Sequence, residues 1–118
     1  GPDEPHPRSL PLSPQVTSDT FKRDVRAVAG PGLVDCYADW CGPCRAQSPL
    51  LEALSEELGD RASVLKMNID ESPGLTQWLR ISSIPTLMVF RDGVLQERFT
   101  GLTSSQALRS ALVSVEAV

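Results

Sequence analysis

From Val16 onward, apolar residues recur at spacings that switch between helix and strand periods. Phe21, Val25 and Val28 fall at i, i+4 and i+7, one face of a helix that Ser18 or Asp19 can cap. Gly30-Pro31-Gly32 stops it. Leu33-Val34-Asp35-Cys36-Tyr37-Ala38 is a short apolar run, which reads as a buried strand with one anomalous acid in it. Alternation puts Leu33, Asp35 and Tyr37 on one face and Val34, Cys36 and Ala38 on the other. A long helix is predicted from about Pro43 to Leu58, with Leu51, Leu54 and Leu58 on one face, a kink at Pro49 and an end at Gly59-Asp60.

A second buried strand is predicted over Ser63 to Ile69, where Leu65, Met67 and Ile69 alternate. Asp70 to Gly74 forms a turn into a short helix through Leu75, Trp78 and Leu79. Ile84-Pro85 then leads into an apolar strand, Thr86 to Phe90. Asp92-Gly93 between this strand and the next, Val94 to Thr100, is the strongest short hairpin signal. Ser104 caps a last helix with Leu108, Ala111, Leu112 and Val115 inside. A further first strand is expected near Pro14 to Thr17. The alternation of helices and strands implies right-handed parallel crossovers, and the hairpin adds an antiparallel edge. The fold class is therefore α/β, with a mixed sheet covered by helices on both faces.

Composition bounds what such a domain can do. The 118 residues have room for one compact domain. Eleven basic against fifteen acidic residues leave a net charge of −4, with no cationic excess to displace phosphate counterions, so nucleic acid is not an expected partner. The longest strongly apolar runs reach about six residues, far below the roughly 20 of a membrane span. Five prolines between Gly1 and Pro14 predict a flexible or extended tail. Gly1-Pro2 reads as the scar of a protease site.

The candidate chemistry lies in three cysteines. Cys41 and Cys44 form a Cys-x-x-Cys pair and Cys36 stands alone, a pattern that points to a reducing compartment and a chemical use for the pair. A half zinc site would need two more ligands, and only Cys36 and His6 remain. The pair sits where a strand ends and a helix begins. There the unsatisfied N–H groups and the helix dipole favour a thiolate. Cys41, at the extreme end, is expected to be the more exposed thiol, and Cys44, one turn further in, the shielded one. Pro43 near the first helical position keeps the turn rigid. Such a pair can cycle between dithiol and disulfide through a mixed disulfide with a substrate.

The run Trp40-Cys41-Gly42-Pro43-Cys44, preceded by Val34-Asp35 and followed by Lys66, Ile84-Pro85-Thr86 and Gly101, resembles the thioredoxin family. The resemblance extends from about Val16 to the C-terminus. It implies a thioredoxin fold, with residues 1–14 as a tail and 15–118 as the domain. It also implies protein disulfide reduction with no bound cofactor or metal, electrons coming from NADPH through thioredoxin reductase. The implied partners are that reductase and disulfide-containing proteins. The chain is expected to act as a monomer in the cytoplasm, away from membranes, an exported form that has lost its signal or anchor being the alternative.

By the same resemblance the catalytic residues are Cys41, Cys44, Asp35 and Lys66. Asp35 would lie beneath Cys44 and help remove its proton, and Lys66 would approach Asp35 and moderate its acidity. An acid inside an apolar strand is costly unless it is paired, neutral or useful. The bond between Ile84 and Pro85 is implied to be cis and to face the cysteines. Trp40, Gly42, Pro43, Ile84, Pro85 and Gly101 would form the substrate contact. Three positions depart from the family pattern. Cys36 stands where a bulky aromatic is common, Tyr37 replaces the usual tryptophan and Ser83 replaces a frequent glycine. Cys36 reads as a small core hydrophobe. A rival from another class is a binding module that uses this surface without turnover, against which the intact cysteine pair weighs.

Overall fold

The computed structural model describes residues 14–28 and 30–116. The tail expected over residues 1–14 lies outside the described residues, apart from Pro14. The elements run α1 (Phe21–Ala27), β1 (Pro31–Tyr37), α2 (Gly42–Leu58), β2 (Ser63–Asn68), α3 (Pro73–Trp78), β3 (Thr86–Arg91), β4 (Val94–Thr100) and α4 (Ser105–Glu116). Four strands form one sheet in the order β2-β1-β3-β4. The β1–β2 pair is parallel and joined through α2, while β1–β3 and β3–β4 are antiparallel.

The strand parity predicted for β1 divides the core in two. Leu33, with Val64, Leu87 and Val89, packs against Leu51, Leu54 and Leu58 of α2 and Leu108, Ala111, Leu112 and Val115 of α4. Val34 and Cys36, with Leu65, Met67, Met88 and Phe90, pack against Val16, Phe21, Val25 and Leu79 on the opposite face. Helices therefore cover both faces, as a sheet buried on both sides requires. β4 is the exposed edge. Ahead of α1, Pro14 and Gln15 continue the sheet past β2 only as an isolated bridge: Lys66 N donates to Pro14 O (2.9 Å) and Val16 N to Lys66 O (2.8 Å). The expected first strand is reduced to this bridge.

Several local expectations are corrected. Neither Ser18 nor Asp19 caps α1; they lie in a turn, and Thr20 holds the N-cap position with its hydroxyl accepting from Thr17 N (3.0 Å). β2 ends at Asn68, because Ile69 to Glu71 wind into a 3-10 turn anchored by Asp70 N donating to the Asn68 side chain. Leu75 of α3 and Leu79 just after it face the core, whereas Trp78 lies on another side and is 73% exposed. α2 continues through Pro49 to Leu58, the end the sequence predicts. The hairpin forms as predicted: Asp92 and Gly93 both take positive φ (53° and 80°), the twist that a two-residue turn between antiparallel strands needs. Ser104 caps α4 by accepting from Ala107 N (3.1 Å).

Candidate active site

β1 ends at Tyr37 and α2 starts at Gly42, so the intervening turn carries Trp40 and Cys41 to the mouth of the helix. Cys41 is the N-cap of α2, and Pro43 follows in the first turn, where a missing N–H costs nothing. Cys41 and Cys44 are joined as a disulfide with Cα atoms 5.3 Å apart. The Cys44 N–H donates to Cys41 Sγ at 3.1 Å. A sulfur at a helix N-cap receives both a hydrogen bond and the positive end of the dipole, the environment that lowers a thiol pKa. Cys41 Sγ also lies 3.7 Å from the Ile84 carbonyl oxygen, so the loop before β3 meets the pair directly. The Ile84–Pro85 bond is cis.

The expected difference in exposure between the two cysteines is not found. In the disulfide form Cys41 is 4% and Cys44 5% exposed. What separates them is position on the helix, since Cys41 alone occupies the cap. Around them Trp40, Gly42 and Pro43 are exposed, Ile84 and Gly101 are half-buried, and Pro85 is buried behind Ile84. Gly101 N donates to Pro85 O (2.8 Å), which ties the end of β4 to the start of β3. Gly101 takes φ +90°, a conformation that favours glycine.

Asp35 is 1% exposed. Its parity with Leu33 puts it on the sheet face that α2 covers, and its register partner on β2 is Lys66. Burial pushes its carboxyl up to about 6, against which the Lys66 ammonium pulls down. One carboxylate oxygen, Oδ1, has no hydrogen-bond partner in the protein. Lys66 is half-buried. Its Nζ donates to Ser48 Oγ (3.4 Å) and stands 4.3 Å from the Tyr37 ring centre. Cys36 falls on the other face and is fully buried, and burial, reinforced by the Asp35 charge, pushes its thiol up to about 12. It packs as the small hydrophobe its sequence context suggests.

Four supporting residues were not singled out from sequence. Asp70 accepts from Trp40 Nε1 (2.8 Å) and fixes the indole against the turn after β2. Gln47, fully buried on α2, donates to Thr103 O (2.9 Å) and accepts from Thr103 N (2.8 Å), which locks the segment after Gly101 onto the helix. Ser48 holds Lys66, and Leu102, 57% exposed, extends the apolar surface beside Gly101. A polar residue at an apolar helix position was the available signal for Gln47. Asp70 and Ser48 act by pairing with residues far away in sequence, and they and the exposed Leu102 gave none.

A disulfide-linked cysteine pair at a helix N-cap, a buried acid of raised pKa on the sheet face that the same helix covers and an uncharged rim are the parts of a thiol–disulfide exchange site. Residues 13–114 match the Thioredoxin family model. A thioredoxin from Rhodospirillum rubrum is 48% identical over 79 residues, covering 67% of this chain and 76% of its own. One from Rickettsia felis is 40% identical over 97 residues, covering 82% and 92%. Among solved structures, a mutant thioredoxin from Halobacterium salinarum superposes with a TM-score of 0.80 at 35% identity, covering 92% of this chain and 95% of its own. The chain belongs to the thioredoxin family, and its activity is that of a thiol–disulfide oxidoreductase with Cys41 and Cys44 as the redox-active pair. The family needs no prosthetic group, and among the described residues no group of three or more His, Cys, Asp or Glu side chains could hold a metal ion. No described helix is long and apolar enough to cross a membrane.

Proposed function

We propose that Cys41 is the attacking nucleophile and Cys44 the resolving thiol of a protein disulfide reductase. The observation that carries this assignment is the Cys44 N–H bond to Cys41 Sγ at the N-cap of α2, which stabilises negative charge on that sulfur. The Cys41 thiolate attacks one sulfur of a substrate disulfide. The substrate S–S bond breaks, one substrate sulfur leaves as a thiolate and takes a proton, and a mixed disulfide forms. Cys44 then gives its proton to Asp35 and attacks Cys41 Sγ. The second substrate sulfur leaves, two electrons have passed to the substrate, and the Cys41–Cys44 disulfide remains.

An acid whose proton affinity is raised to about 6 is ionised at neutral pH yet basic enough to accept that proton. Lys66 moderates it. The substrate lies in extended form across Trp40, Gly42, Pro43 and Gly101, with the Ile84 main chain, backed by Pro85, offering backbone hydrogen bonds. NADPH and a thioredoxin reductase restore the dithiol. The protein works as a cytoplasmic monomer on disulfide-containing proteins, with neither nucleic acid nor membrane as partner.

The test uses insulin reduction driven by NADPH and thioredoxin reductase. Cys41→Ser should abolish turnover and form no adduct, whereas Cys44→Ser should accumulate a mixed disulfide. Equal adduct yields from the two variants would overturn the assignment.

A further inference from the structure

A cavity of about 290 Å³ opens beside Cys44, lined by Tyr37, Asp39, Arg45, Ser48 and Lys66. Lys66 reaches it from β2, on the same sheet face as its register partner Asp35. A lysine there has two ways to place its ammonium: inward, against the buried carboxylate, or outward to water. It takes neither extreme. The ammonium donates to Ser48 Oγ at 3.4 Å and covers the Tyr37 ring at 4.3 Å, while Asp35 Oδ1 stays without a hydrogen-bond partner. The Tyr37 ring is itself fixed, because Gln15 Nε2 donates to its hydroxyl (3.0 Å).

We propose that Ser48 and Tyr37 are positioning residues for Lys66: together they anchor its ammonium in the cavity beside Cys44, at a set remove from Asp35, and so set how readily Asp35 takes up the Cys44 proton. The proposal rests on the reading of Asp35 as proton acceptor, but the anchoring itself can be measured without turnover.

The charged and titratable groups around the cavity are few. β2 contributes Lys66, α2 contributes Arg45 and Cys44, and the turn after β1 contributes Asp39. Glu71 and Asp39 act on the Tyr37 hydroxyl. β3 places Leu87 opposite Asp35, and Arg109 of α4 is turned to Glu57. Arg45 donates to the Asp39 carbonyl (2.9 Å), so its charge is held toward the turn. Lys66 is the group among these whose field acts on Asp35. Moving it therefore changes the field at the acid directly.

The experiment follows the Asp35 side-chain carboxyl by carbon NMR across pH, in the disulfide form, where Cys41 and Cys44 do not titrate. Ser48→Ala removes the hydroxyl and lets the ammonium withdraw into solvent. The Asp35 midpoint should then rise by roughly half a unit, the size expected when a cation retreats ~2–3 Å at an effective dielectric of ~20. Tyr37→Leu should move it the same way, and Ser48→Thr, which keeps the hydroxyl, should restore it. An unchanged or lowered midpoint in Ser48→Ala overturns the anchoring, whatever happens to turnover. The pH profile of insulin reduction separates the two readings. If the midpoint rises and the profile moves with it, both stand. If the midpoint rises and the profile does not, the anchor stands and Asp35 is not the acceptor.

Discussion

Replacing Asp35 by asparagine should stabilise the protein at neutral pH while slowing its chemistry. The carboxyl sits 1% exposed with its titration pushed from 3.8 to about 6 by burial. For an acid raised on folding, the folded state holds the proton more tightly than the unfolded state. Stability therefore falls as pH climbs through the window from 3.8 to about 6, and the whole penalty is present above it. A shift of that size corresponds to about 3 kcal/mol. Asparagine has nearly the same shape and never ionises, so Asp35→Asn removes the slope. Its amide also needs partners, but that cost does not vary with pH. The decisive quantity is therefore the change with pH of the stability difference between variant and wild type. Urea unfolding of both disulfide forms, from about pH 4 to about pH 8, measures it, because every other titrating group cancels in the difference. Cys36, pushed up to about 12, stays protonated throughout. The variant should gain about 2.5 kcal/mol on the wild type across this range, most of the full penalty, because part of it is already present at about pH 4. In parallel, insulin reduction near neutral pH should slow. A stability difference that stays flat with pH would refute the raised affinity of Asp35, and one that runs the other way would mark the carboxylate as paired and stabilising.

Two other predictions probe the frame that holds the site. Leu108→Ala, in α4 at full burial between both helices and the sheet, should cost about 2–5 kcal/mol by urea unfolding; a loss under ~1 kcal/mol would mean the site collapses around the gap. Gly93→Ala puts a Cβ at φ +80° and within 3.1 Å of Arg26 Cγ, so it should destabilise the hairpin by about 1–2 kcal/mol and leave insulin reduction intact, because the turn lies at the opposite end of β3 from Pro85.

The elements themselves were legible because each carries a local signal. Period-3.6 leucines mark α2 and α4, Asp92-Gly93 marks the hairpin, and the alternation in β1 assigns Asp35 and Cys36 to opposite faces. The cysteine pair was legible for the same reason: a strand followed by Gly42-Pro43 leaves Cys41 at a helix mouth whatever the rest of the chain does. Element edges were not. Thr20 rather than Ser18 or Asp19 precedes α1, and Ile69 leaves the strand, because those choices depend on which backbone groups find partners in the assembled fold.

What sequence alone determined is thus the fold class, the redox pair and the presence of a misplaced acid in a buried strand. Tertiary structure decided the rest. It gave Cys41 and Cys44 equal burial, seated Ile84 against the sulfur, bound Trp40 to Asp70, clamped the segment after Gly101 through Gln47 and parked Lys66 on Ser48 and Tyr37. These contacts join residues between 18 and 56 positions apart along elements that meet only after the sheet has formed. A local pattern records the preferences of its own backbone. The field at a buried carboxylate is set by distant charges and by the water that packing excludes, so it appears only once the chain is folded.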